Sequence, residues 1–385
     1  MSRPVREVGL HALGALGMVA AARWRNRRTA VVVTYHAVTE VDPSLCLRFP
    51  FVYRNAVTVD QLRAHIAHLK RHYHLLDAEE FLECLARARF PERSAMLTFD
   101  DGLRCHATLA APLLASEGVP GVVFLATGLT DEATSGRVGW QWTEALAALV
   151  YTRGDVLRRQ WRTVRDHLGA GPEDVGRETT DDRLIRCIQE AFWRLDWGRR
   201  AGALHELAGL VGGLPHPGDF PADVNGTSVL AAMSWEEARA LASQGVEAGG
   251  HTVHHPRLSE LSCEEVEQEI LGCAERIRQE CARPARVFAY PYGDYGDEGA
   301  LEGTFRRAGI RAAMTQRYGL VAATVRPYFV PRVNVPGNCG WSRLAYHASG
   351  LRALVARAGL AAQPTELAGT QQRRANRPNL LHDRA

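Results

Sequence analysis

The sequence predicts an α/β fold around a parallel sheet, either open or closed into a barrel. Two observations carry this expectation. Short β-rich runs alternate with segments of helical periodicity. The residues able to do chemistry fall at the C-terminal ends of those runs, where parallel α/β folds build their sites.

Taken in order, the β-branched run over residues 30–36 opens the folded part as a buried strand. Residues 59–73 place Leu62, Ile66 and Leu69 at helical spacing. A short strand is expected over 74–77 and a helix over 78–88. The stretch 94–101 reads as a strand that ends in two acids and Gly102. A helix over 106–117 closes on Gly118 at a C-cap position, and 119–127 is a further strand. The alternation then breaks. Residues 131–232 read as a charged, helical insertion, with loops at 169–172 and 212–215. It resumes at Ser234, where Ser234-Trp235-Glu236-Glu237 forms a capping box for a helix to about residue 244. Then come a strand over 246–252 and a second capping box, Ser262-Cys263-Glu264-Glu265, opening a helix to about residue 281. A strand over 285–290, a helix over 299–308, strands over 312–315 and 329–335 and a helix over 341–358 complete the pattern. The tail over 361–385 is polar and expected to be disordered.

Composition bounds the function. The chain has 385 residues, 46% hydrophobic and 23% charged, which suits a globular protein with a sizeable core. Its 46 basic and 43 acidic residues leave a net charge of only +3, so no nucleic-acid partner is expected. None of the eight cysteines is spaced Cys-x-x-Cys, which argues against a zinc–thiolate site, and they do not read as a disulfide framework. Residues 8–22 form a mostly apolar run after Arg3 and Arg6. At 15 residues it is short for a membrane span, which needs about 20. Ala20-Ala21-Ala22 could serve as a signal-peptidase site, but Arg23, Arg25, Arg27 and Arg28 follow at once. Residues 1–28 are therefore expected to be an amphipathic helix, packed on the fold or resting on a membrane surface. A cytoplasmic or membrane-associated location is favoured over secretion.

Three segments carry chemistry. In Thr98-Phe99-Asp100-Asp101-Gly102, two adjacent carboxylates at a strand end point to different sides, so one can bind a metal while the other takes a proton. In His251-Thr252-Val253-His254-His255-Pro256, His251 and His255 are four apart, and one helical turn could aim both at one ion, with His254 turned elsewhere. Two imidazoles and one carboxylate make an open, zinc-type site with room for water. In Ala289-Tyr290-Pro291-Tyr292-Gly293, a strand runs into a tight turn whose backbone N–H groups can serve as an oxyanion hole. Each segment alone has an ordinary reading as a turn or an exposed loop.

In this order the three resemble the polysaccharide deacetylase family, also called the NodB-homology family or carbohydrate esterase family 4. Thr34-Tyr35-His36 looks like that family's first strand, and residues 233–251 like the approach to its second motif. The resemblance covers about residues 29–130 and 233–340. It implies a distorted (β/α) barrel spanning residues 29–360, interrupted by the helical insertion at 131–232. It also implies a divalent metal, most often Zn2+, on Asp101, His251 and His255, with Asp100 as general base and the Tyr292 N–H on the oxyanion. The implied reaction removes acetyl groups from N-acetylated sugars, on a glycan or a lipid-linked sugar. An O-acetyl esterase, or a non-catalytic metal- and carbohydrate-binding relative, is the alternative.

Two departures stand out. Ala289 occupies the position where many members carry an Arg that orients the base. A late Leu-x-x-His motif has only Leu344-Ala345-Tyr346-His347 as a match, inside a helical stretch and read here as accidental. Arg332, on the last strand, is expected to replace the missing Arg and pair with Asp100. His36, at the end of the first strand, is expected to be the general acid or part of its relay. The insertion holds five of the eight tryptophans, Trp140, Trp142, Trp161, Trp193 and Trp197, which suits a small core of its own better than a lid of sugar-binding aromatics.

Overall fold

The structure, a computed structural model, describes residues 17–41, 49–169, 175–215, 230–296 and 298–357. Ten strands are found among them: β1 (Ala30–Tyr35), β2 (Val38–Thr39), β3 (Val57–Thr58), β4 (His74–Leu75), β5 (Ser94–Phe99), β6 (Gly121–Leu125), β7 (Val246–Gly250), β8 (Val287–Ala289), β9 (Ala312–Tyr318) and β10 (Val330–Asn334). The main sheet runs β1-β10-β9-β8-β7-β6-β5, and β1 also pairs with β5. That second pairing closes seven parallel strands into a barrel, with β4 added on the outer edge of β5. The fold is therefore a (β/α) barrel, as expected. The two-residue strands β2 and β3, which pair with each other, were too short to show a sequence period.

The barrel follows from a period of two read on strands buried on both faces. Every residue of β1, β5 and β6 is buried. Val31 and Val33 of β1 and Leu97 and Phe99 of β5 face one cluster, with Leu62, Ile66 and Leu69 of the helix Val59–His72. Their neighbours Val32, Met96, Val122, Phe124, Ala289, Met314 and Val330 face another. Continuing the second set by two residues along each strand reaches Thr34, Thr98, Gln316 and Arg332, and one step beyond β5 reaches Asp100. The alternation thus places a polar layer directly above an apolar plug.

The helices follow their caps. Thr58, Asp77, Ser234 and Ser262 each accept from the backbone three residues on and complete a capping box. The helix expected over 106–117 starts with a π-helical turn, His106–Ala110, before Ala111–Glu117 and its left-handed Gly118. The last helix is two, Trp341–Ala348 and Leu351–Arg357, because Gly350 turns the chain at φ +78°.

The insertion forms the helices Trp142–Arg159, Trp161–Leu168, Asp181–Phe192 and Trp197–Gly209. Leu146, Leu149, Val164, Ile185, Ile188, Phe192 and Leu207 make a core separate from the barrel's. The helix Met18–Arg25 lies on the barrel through Val19 and Ala22, which meet Ala345 and Leu351. Residues 1–16, with most of the apolar segment, and the tail over 361–385, with its expected disorder, lie outside the described residues. None of the described helices is long and apolar enough to cross a membrane. None of the seven described cysteines forms a disulfide.

Candidate active site

Three loops at the C-terminal ends of β5, β7 and β8 converge. The chain leaves β5 at Phe99, and Asp101 adopts a left-handed φ of +76°. That reversal separates the two carboxylates. Asp101 Oδ1 lies 3.4 Å from His251 Nε2 and 3.1 Å from His255 Nε2. The two imidazole nitrogens are 3.2 Å apart. Among the described residues, this is the one group of three such side chains close enough to share a metal ion.

His251 and His255 do not share a helical turn, contrary to the expectation from their spacing. They flank a loop in which Thr252 and His255 both take positive φ, +66° and +62°. Thr252 Oγ1 accepts from the His255 N–H at 2.9 Å. Thr127 and Gly128, just past β6, donate their N–H groups to Thr252 and Val253 carbonyls. On the other side, Glu269 of the helix Cys263–Cys281 accepts from the N–H groups of Val253 and His254 at 2.8 and 2.9 Å. Its other oxygen meets His254 Nδ1 at 2.7 Å, so His254 turns away from the site and its pKa is raised by that carboxylate. The loop geometry comes from this tie rather than from a helix.

The donor set fits a divalent metal. His251 Nδ1 donates to the Ala289 carbonyl at 2.7 Å, which fixes the proton there and leaves Nε2 with its lone pair toward Asp101. Burial pushes the His255 imidazole down, toward the neutral form a ligand needs. Burial alone would push the Asp101 carboxyl up, but hydrogen bonds from the two histidines hold it well below the usual range.

Asp100 faces the barrel interior, fully buried. Arg332 grips it with both arms, Nη1 to Oδ1 and Nη2 to Oδ2, each at 2.7 Å. Gln316 Nε2 adds a third donor to Oδ2 at 2.9 Å. Arg332 is itself held by the Thr315 carbonyl at 2.8 Å. Burial raises the Asp100 carboxyl, but Arg332 and His251 together bring it below its ordinary value. Ala289, the other departure, packs with Phe124 and Met314 in the apolar plug. The Arg332–Asp100 contact expected from the sequence is thus present, and Arg332 reaches Asp100 from a different strand.

His36 follows β1, and its imidazole is close enough to Asp100 and Asp101 to lower both. Its carbonyl accepts from His106 Nε2 at 2.6 Å, and its own Nδ1 is buried with no partner. His347 lies elsewhere, against Tyr318 and Tyr346 in the helix Trp341–Ala348. Tyr292 sits in the Pro291–Gly293 turn at φ +58°. Its ring stands edge-on to His255 at 4.7 Å and to Trp193 of the insertion at 5.4 Å.

Several neighbours were not singled out from the sequence. Gln316 could have been found by counting two residues on from Met314 along β9. Glu269 sits on the buried side of its helix without any motif. Glu144, from the insertion helix Trp142–Arg159, is pushed up by burial and then by the Asp101 charge, while Thr143 and Arg54 oppose that rise. Its closeness to Asp101 crosses a domain boundary that no local pattern marks.

The comparisons agree with this geometry. Residues 220–312 match the family model described as polysaccharide deacetylase, a segment that includes His251, His255 and Tyr292. No functionally curated protein matches the chain. Among solved structures, the fold is similar to the Streptococcus pyogenes deacetylase PplD in complex with acetate, at 14% identity and a TM-score of 0.53, covering 83% of this chain and 98% of that one. It is also similar to IcaB from Ammonifex degensii, at 17% identity and a TM-score of 0.50, covering 84% and 97%. With its three motifs in order, its matched segment and its closed parallel barrel, the chain resembles the polysaccharide deacetylase family.

Proposed function

We propose that this deacetylase hydrolyses the acetamide of N-acetylated sugars in a polysaccharide or glycan precursor, with a divalent metal held by Asp101, His251 and His255. The observation that carries the reading is the division of labour between adjacent carboxylates, Asp101 joined to two imidazoles and Asp100 to Arg332. Two nitrogens and one carboxylate oxygen suit zinc. A divalent ion there supplies Lewis acidity, polarising the acetyl carbonyl and acidifying the attacking water.

The residues then have separate tasks. A carboxylate has about four acceptor positions. Arg332 and Gln316 fill three of them on Asp100, leaving one on Oδ1 for the proton of the attacking water. Asp100 takes that proton as the oxygen bonds to the acetyl carbon. The Tyr292 N–H donates to the oxyanion that forms. His36 gives a proton to the sugar nitrogen as the C–N bond breaks, releasing acetate and the free amine. Acetate, the product, is what the similar PplD structure contains.

A lipid-linked sugar belongs to the same proposal. The helix Met18–Arg25 leaves Trp24 67% exposed beside Arg25, a pairing suited to a membrane interface. Flotation with anionic vesicles tests this, and Trp24→Ala should abolish any binding.

The central test is acetate release from N-acetylglucosamine oligomers. Metal-loaded protein should release acetate, while metal-stripped protein and Asp100→Asn should not. His36→Ala should lower kcat by about 10²-fold or more with metal content unchanged. Release that is indifferent to Asp100 would sink the mechanism.

A further inference from the structure

Beside the metal-ligand loop, the insertion and the barrel together hold a guanidinium that no carboxylate among the described residues neutralises. Arg257 follows His255 by two residues. Its guanidinium lies 3.9 Å from the centre of the Trp193 ring and 5.3 Å from that of Tyr292. Tyr292 in turn stands against His255, so one aromatic ring separates Arg257 from a metal ligand. Arg200 gives the contrast. It too lies over Trp193, at 4.6 Å, but it is paired with Glu260 at 2.7 Å and bonds the Phe192 and Leu195 carbonyls at 3.0 Å. Arg257 makes no ion pair and donates no hydrogen bond among the described residues, and its Nε is buried without an acceptor.

A partly buried, permanently charged fork left without a carboxylate is costly unless a ligand completes it. Its close approach to the Trp193 ring holds it in place and lowers the entropy lost on binding, while leaving N–H donors for an anion. The Tyr292 hydroxyl is also buried without a partner.

We propose that Arg257 reads an anionic group on the substrate, a carboxylate or a phosphate next to the acetamido sugar, and that Trp193 positions it. The preferred substrate is then an acidic N-acetylated glycan, an inference that rests on the deacetylase reading and narrows it. Trp193 is consequently a specificity element carried by the insertion, holding Arg257 rather than stacking on a sugar.

The test compares three acetylated probes with metal-loaded protein: neutral diacetylchitobiose, an N-acetylglucosamine–glucuronate disaccharide, and N-acetylglucosamine 1-phosphate. At least one acidic probe should show a KM lower than the neutral probe's by on the order of tenfold. Arg257→Ala should raise that KM to the neutral value, with kcat and the neutral KM little changed. Arg257→Lys should recover only part of the preference, since it keeps the charge without the fork. Which acidic probe gains identifies the anion. Equal KM values for all three, a preference that survives Arg257→Ala, or a kcat loss shared by every probe would overturn the inference while leaving the deacetylase reading intact. If no probe releases acetate, the deacetylase reading fails separately, and calorimetric binding of the same probes decides the role of Arg257 by the same criteria. Thermal melting checks that the variants fold, with Arg257→Gln as the milder replacement.

Discussion

At the scale of single residues, the arrangement turns on Arg332. It supplies a planar fork whose two arms match the two oxygens of Asp100, from a strand far in sequence from the usual position. Lysine is a point charge and cannot reproduce both bonds. Arg332→Lys should therefore lose kcat by about 10-fold or more, and Arg332→Ala by about 10²–10³-fold, with bound metal unchanged. Metal analysis alongside acetate-release kinetics separates this from loss of the metal site. Full activity in Arg332→Ala would remove the residue from the mechanism. Removing Arg332 also leaves a buried carboxylate unpaired, at a cost of roughly 3–5 kcal/mol. A lowered melting temperature is expected in the same variant.

At the scale of elements, loops do the positioning and helices hold the loops. Glu269 ties the His251–His255 loop to its helix through two backbone donors and one imidazole. Glu269→Ala should weaken metal affinity by about 10–100-fold without touching a ligand, as outer-shell losses do. Competition with a metal chelator measures it, and an unaltered affinity would show that the loop keeps its shape unaided. The Pro291–Gly293 turn makes a second case. Gly293 sits at φ +71°, and a Cβ there would come within 2.5 Å of Gln316 Cβ and 2.8 Å of its backbone nitrogen. Gly293→Ala should destabilise the fold by about 1–3 kcal/mol and displace the third donor to Asp100. A fall in both melting temperature and kcat is the expected pair of results.

At the scale of the whole molecule, four buried or half-buried imidazoles set a pH response. His65, His68 and His106 are pushed down to about 4 and His347 to about 3, burial being the largest cause for each. His106 shows why it must stay neutral: its Nδ1 accepts from the Leu103 N–H while Nε2 donates to the His36 carbonyl. Unfolded histidines bind protons near 6.5. Because the folded values are lower, the unfolded state gains protons first as pH falls. Stability should therefore be full above about pH 6.5 and decline toward pH 4, by about 1–2 kcal/mol per imidazole by pH 5. His254, raised by Glu269, opposes the trend with a single group. Denaturant unfolding between pH 7.5 and 5 tests this, and a flat profile would contradict the assignment of neutral buried imidazoles.

The sequence by itself determined most of the strand and helix order, the parallel α/β class read from β-rich runs alternating with helices, and the identity of the acids and histidines that meet at the strand ends. Those features are local: a period of two, a capping box or a motif is written in neighbouring residues. It also marked Arg332 for Asp100, because a missing base-orienting Arg leaves a charge to be balanced and strand ends face one another across a barrel. The tertiary structure alone decided how the histidines converge, since a loop with two positive φ values has no period to read. It decided too that Gln316 and Glu269 support the site, and that Trp193 and Glu144 of the insertion stand beside it. Those contacts join residues brought together by barrel closure and by packing of the insertion against it, and no spacing along the chain encodes them.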